Sequence, residues 1–92
     1  MSDSLTREMR IINKLGLHAR AAAKFVTTAS GFESEITVRR DAREVNGKSI
    51  MGVMMLAAAK DARIEVTAGG SDAAAALDAL EQLVMGRFGE DE

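Results

Sequence analysis

The sequence predicts an α+β domain of order βαββαβα, an open-faced β-sandwich whose four-stranded antiparallel sheet carries three helices on one face and meets water on the other. Three observations predict it. Short segments with period-two alternation are interleaved with segments whose apolar residues recur at helical spacing. The stretches that could form the second sheet face are polar at alternate positions. The 92 residues, 47% hydrophobic and without Cys or Pro, suffice for one core but offer neither a disulfide framework nor a linker that would divide it.

The elements follow in order. Residues 5–13 place Met9 and Ile11 on one side with Glu8 and Arg10 flanking, and end at an Asn that favours turns. Residues 17–30 repeat Leu17, Ala21, Ala22, Phe25, Val26 and Ala29 at spacings of a helix, which Gly31 stops. Residues 34–40 alternate through Ile36 and Val38, and Asp41-Ala42-Arg43 turns the chain into a partner strand at Glu44-Val45. A short second helix over 49–56, capped by Ser49 and weakened by Gly52, puts Ile50, Val53, Met54 and Ala57 on one face. Residues 63–68 alternate through Ile64, Val66 and Ala68 until Gly69-Gly70 breaks the strand. Ser71 is the expected N-cap of a third helix with a stripe of Ala73, Leu77, Leu80 and Val84, Asp72 near its positive end and Arg87 near its negative end. Thr37, Arg39, Glu65 and Thr67 supply the solvated sheet face.

A net charge of −2 conceals an asymmetry: residues 1–63 hold 11 of the 12 Lys and Arg against 7 acids, and residues 64–92 hold Arg87 against 7 acids. The basic front, with 3% aromatic residues and neither Tyr nor Trp, is poorly suited to base stacking or to a phosphate-binding stripe, so nucleic acid is not an expected partner. It suits acidic protein surfaces instead. No run reaches the ~18 to 20 apolar residues of a bilayer span, and the N-terminal MSDSLTREMR has no signal-peptide core, so a soluble, cytoplasmic chain without membrane partners is expected.

The sole His, His18, follows Gly16-Leu17 where a strand hands over to a helix. Amides of a first helical turn lack helical acceptors and the macrodipole is positive there, so an anion at His18 meets ready donors. Arg20, two residues on, can fork onto phosphate oxygens, and an imidazole is a nucleophile that titrates near neutrality. Gly16 removes a side chain where a phosphoryl donor would approach. Equally, His18 reads as a helix-start residue of no special role and Arg20 as a solvated cation. One His and scattered carboxylates make no metal site, and the acidic end, Glu90 to Glu92, reads as frayed, as do residues 1–4. Gly47-Lys48-Ser49 echoes a P-loop, but its first Gly would fall at Ala42 and there is no room for the parallel sheet, so no nucleotide or other cofactor is expected. Met51, Met54 and Met55 exceed what one face of a short helix can bury, which points either to core filling or to an adaptable docking surface.

Asn13-Lys14-Leu15-Gly16-Leu17-His18-Ala19-Arg20, continued by Ala22-Ala23-Lys24-Phe25-Val26, and the separate run Asn46-Gly47-Lys48-Ser49-Ile50-Met51, resemble the HPr family, the histidine-containing phosphocarriers of the bacterial phosphoenolpyruvate-dependent phosphotransferase system. The resemblance spans nearly the whole chain as a single HPr domain with an HPr-like open-faced sandwich. It implies a relay in which enzyme I, charged by phosphoenolpyruvate, passes a phosphoryl group to His18, which passes it to an enzyme IIA domain. Such a carrier forms a phosphohistidine but turns over no substrate alone. The resemblance makes Arg20 the phosphate-stabilising residue and Ser49 a regulatory site for a Ser kinase and phosphorylase. It makes Ala23, Ile50, Met51 and Met54 the docking patch, with Lys24 and Lys48 as charged contacts; a monomer is expected. Ala21 stands where the family usually has Pro, and Thr27 and Gly52 where it often has Lys. Ala at that position is similar to the carrier of the nitrogen-related branch, which leaves sugar uptake and nitrogen-related regulation both open. Two rival readings are a regulatory module docking through its Met-rich second helix, with His18 incidental, and a small-molecule-binding domain of ferredoxin-like layout.

Overall fold

The computed structural model describes residues 4–92. Its strands are β1 (Ser4–Arg10), β2 (Glu35–Arg40), β3 (Arg43–Asn46) and β4 (Arg63–Gly69), and its helices α1 (Ala19–Ser30), α2 (Ile50–Met55) and α3 (Ala73–Met85), followed by a 3-10 turn, Arg87–Gly89. The sheet order is β1-β4-β2-β3 and every pair is antiparallel. β4 is central because Ile64, Val66 and Ala68, all fully buried, give it an apolar face without interruption. Its register aligns Ile64 with Met9 of β1 and Val66 with Val38 of β2, so the apolar faces of three strands coincide. Against them α1 contributes Ala21, Ala22, Phe25 and Ala29, and α3 contributes Ala73, Ala76, Leu77, Leu80 and Val84, forming one core. The opposite face carries polar pairs: Thr6 and Thr67 hydroxyls 2.9 Å apart, Arg63 on Glu8, and the Arg39 guanidinium on Glu65. No helix among the described residues is long and apolar enough to cross a membrane.

Several boundaries differ from the expected ones. The first strand stops at Arg10 rather than Asn13, although Ile11 still exchanges hydrogen bonds with residues 61 and 62 through Ala62 O and the Asp61 N–H. The first helix starts at Ala19, with His18 as its cap, rather than at Leu17. Ser4, expected to fray, opens β1; the rest of that N-terminal expectation falls on residues 1–3, outside the described residues. In α2 only Val53 is buried, with Leu56 behind it, so Ile50, Met54 and Ala57 do not join the core with Val53.

The cap of α3 is Asp72, not Ser71. Its carboxylate makes no capping bond and instead accepts from the N–H groups of Glu33 at 2.9 Å and Ser34 at 3.0 Å, and from the Ser34 hydroxyl at 2.5 Å. Those bonds tie the start of α3 to the turn before β2. The Ser34 hydroxyl, then the Glu33 amide, hold the Asp72 carboxyl below its ordinary value of 3.8. A depressed folded-state pKa gives stability that is complete above the unfolded value and is lost as pH falls through the folded one. Asp72→Asn is therefore expected to lower the Tm at pH 7 and to shrink the fall in Tm that the native chain shows below about pH 4. Thermal melts of both chains from pH 7 to pH 2 check this.

Candidate functional site

The loop between β1 and α1 is shaped by one Asn and one Gly. Asn13 is fully buried; its Nδ2 donates to Gly16 O at 2.9 Å, while the Gly16 N–H donates to Asn13 O at 3.2 Å. Gly16 has φ +68, and a Cβ there would lie 2.5 Å from Ala58 O and 2.9 Å from Ala59 Cα. The glycine is required by the passing backbone of residues 58–59, to which the Leu17 N–H also donates at 2.9 Å. This is a different reason from the space for a phosphoryl donor expected of it.

His18 leaves this loop in extended conformation (φ −73, ψ 178) and caps α1. Its Nδ1 accepts from the Arg20 N–H at 3.3 Å, and its carbonyl accepts the first helical bond from Ala22 at 2.8 Å. The ring thus faces the end of a twelve-residue helix where amides lack helical acceptors and the dipole is positive. The Arg20 side chain is exposed and has no partner among the described residues, leaving its five donors for an incoming anion. Ala21 is buried, and because it is not Pro its backbone nitrogen keeps a hydrogen in this first turn.

The other ring nitrogen meets a group the sequence did not disclose. Nε2 lies 2.5 Å from Glu90 Oε2, and Asn13 Nδ2 donates to Glu90 Oε1 at 3.0 Å. The acidic end, expected to fray, is laid across the site: Phe88 is fully buried, Lys24 Nζ donates to Phe88 O at 2.6 Å, and the Lys14 N–H donates to Glu92 O at 2.5 Å. Burial raises the Glu90 carboxyl, but hydrogen bonds from Asn13 and His18, with the charges of His18 and Lys24, outweigh it and hold the group below the ordinary carboxylate value. The one sequence signal for this contact is Phe88 itself, four residues beyond Val84 and so a continuation of the stripe of α3 past Gly86.

Ser49 caps α2, its Oγ accepting from the Gly52 N–H at 3.1 Å. Beside it Ile50, Met51, Met54 and Met55 are exposed, Met51 most of all at 72%. Leu15, in the loop that precedes His18, is also exposed, at 67%, and was not anticipated. α1 and α2 pack against each other, and Ala23 is half-buried on α1. Lys24 and Lys48, expected as charged contacts for partners, each hold a backbone carbonyl of this chain, Phe88 O and Phe32 O, the latter at 2.7 Å.

The family model described as the phosphorylation site of the phosphotransferase-system HPr component matches residues 5–85. The phosphocarrier protein HPr of Neisseria meningitidis serogroup A is 57% identical over 88 residues, covering 96% of this chain and 99% of that protein. The crystal structure of HPr-C-His from Thermoanaerobacter tengcongensis superposes with a TM-score of 0.92 at 44% identity, covering 96% of this chain and 99% of the other. An HPr dimer from the same organism gives a TM-score of 0.76 at 48% identity, over 89% of this chain and 94% of that one. The chain belongs to the HPr family, the phosphocarrier proteins of the phosphotransferase system.

Proposed function

We propose that the protein takes a phosphoryl group from enzyme I onto His18 Nδ1 and hands it to an enzyme IIA domain. The observation that carries the proposal is the placement of the chain's single imidazole as the cap of α1, with Nδ1 turned to the amide end of the helix. A phosphoryl group on Nδ1 would replace the 3.3 Å bond from the Arg20 N–H, a long contact that is readily given up. The N–H groups of the first turn then reach phosphate oxygens, and the unpartnered Arg20 guanidinium neutralises a further charge. Transfer needs positioning and charge stabilisation more than covalent chemistry, and these groups supply both. The whole relay is proposed for a monomer in the cytoplasm. Incubation with enzyme I and phosphoenolpyruvate, followed by IIA domains of the sugar and nitrogen-related branches, tests the reading. Rapid loss of label to one class identifies the branch, and no transfer to either contradicts the relay.

The exposed side chains Ile50, Met51 and Met54 are the proposed docking surface for these partners, with Ala23 at its border. Ser49, at the edge of that surface, is proposed as its regulatory phosphorylation site. A phosphate there adds about −1.5 to −2 charges at a helix N-terminus, where an anion is locally favourable, but beside an apolar contact that it would disturb. Ser49→Asp is expected to raise the KM for phosphorylation by enzyme I while the Tm stays level or rises slightly. A chain that melts early yet accepts phosphate with unchanged KM would show Ser49 to be a structural cap alone.

A further inference from the structure

A carboxylate beside the acceptor His is unexpected at a site that must welcome a phosphoryl group, since the two anions repel. Glu90 is nonetheless fixed there by three anchors. Asn13, oriented by its bond to Gly16 O at 2.9 Å, holds Oε1; the buried Phe88 side chain and its carbonyl, bound by Lys24, hold the preceding turn; and the Lys14 N–H holds Glu92 O. Only Oε2 remains, and it meets His18 Nε2 at 2.5 Å.

We infer that Glu90, oriented by Asn13, is a positioning residue for phosphoryl transfer: it accepts the Nε2 hydrogen of His18 and so keeps the neutral imidazole in the tautomer whose lone pair is on Nδ1, facing the amides of α1. The inference rests on the reading of His18 as phosphoryl acceptor. Which nitrogen of an imidazole carries its proton is set by the bond the other nitrogen makes. Here an amide donates to Nδ1 and a carboxylate accepts from Nε2, so both contacts select one tautomer. A ring with its hydrogen on Nδ1 has no lone pair there with which to attack phosphorus.

The same contact serves the product. As the Nδ1–P bond forms, the bond from phosphorus to the donor atom of enzyme I breaks and its electron pair stays on that donor atom. His18 retains its Nε2 hydrogen, so its ring becomes a cation, and the Glu90 carboxylate at the far edge of the ring compensates that charge. In onward transfer the Nδ1–P bond breaks, the pair returns to Nδ1 and the ring is neutral again. No proton has to move in either step.

The test compares the full chain with Glu90→Ala and Glu90→Gln. Imidazole 15N shifts, read at alkaline pH where the ring is neutral, report the tautomer, and steady-state assays with enzyme I and phosphoenolpyruvate report kcat and KM. The native ring should be almost wholly the Nε2–H form. Glu90→Ala should show a substantial Nδ1–H population and a kcat lower by about ten-fold, the scale on which a metal-bound His loses function when the partner of its other nitrogen is removed, with KM little changed. Glu90→Gln, which still presents an oxygen, should recover much of the tautomer and part of the rate. A Glu90→Ala chain with the native tautomer overturns the inference, whether or not its rate falls, and so does one with a shifted tautomer and native kcat. If the native chain takes up no phosphate, the carrier reading fails, while the tautomer measurement still judges what Glu90 does.

Discussion

His18→Asn is expected to abolish phosphoryl acceptance while leaving the fold in place. Asn removes the nucleophile, and its side-chain oxygen can still accept the N–H of Arg20 that His18 Nδ1 now accepts, so the cap on α1 survives. His18→Ala should be equally inactive but should lose the cap as well, at a cost of about 0.5–2 kcal/mol. Enzyme I and labelled phosphoenolpyruvate, with thermal melts of all three chains, separate the two effects. Label retained by either variant would place the accepting group elsewhere in the chain.

Phe88→Ala is expected to have the largest effect on stability. The ring is fully buried in the core that the three helices and the sheet share, and truncation of a buried Phe costs about 3–5 kcal/mol. In a chain of 92 residues that is a large share of the roughly 5–15 kcal/mol that holds a domain together. The consequence should reach the site, because Phe88 sets where the residues after it lie. Freed from this anchor, Glu90 should spend less time on His18, and the variant, studied below its lowered Tm, should show the Glu90→Ala tautomer change in weaker form. Denaturant melts and the imidazole shifts measure the two consequences. An unchanged midpoint would mean that the core closes without the ring.

What was legible in the sequence was local. Alternation at Ile36 and Val38, and again at Ile64, Val66 and Ala68, marks strands because neighbouring side chains in a strand point to opposite faces, and these residues are buried where the pattern requires. The Ser49 cap and the place of His18 at a helix start are likewise written within a few residues of where they act. The illegible features join distant parts of the chain. Glu90 meets His18 across 72 positions, and Asp72 meets Ser34 across 38; beyond the place of Phe88 in the stripe of α3, neither contact has a period or a spacing to announce it. Both are carboxylates that a local reading assigns to solvent or to a helix dipole. The sequence shows at Gly16 only the lack of a side chain; the backbone that demands it, at Ala58 and Ala59, comes into place only when the loop after α2 folds against it.

The central claim is that His18 carries the phosphoryl group on Nδ1, on the side of the ring that faces α1. The most direct measurement is heteronuclear NMR of the 15N-labelled chain after phosphorylation by enzyme I and phosphoenolpyruvate, in which coupling to phosphorus identifies the bonded nitrogen. The account predicts one phosphorylated nitrogen, Nδ1 of His18, with Nε2 still carrying its hydrogen. Phosphorus on Nε2, the nitrogen now 2.5 Å from Glu90, or on any other residue, would contradict it.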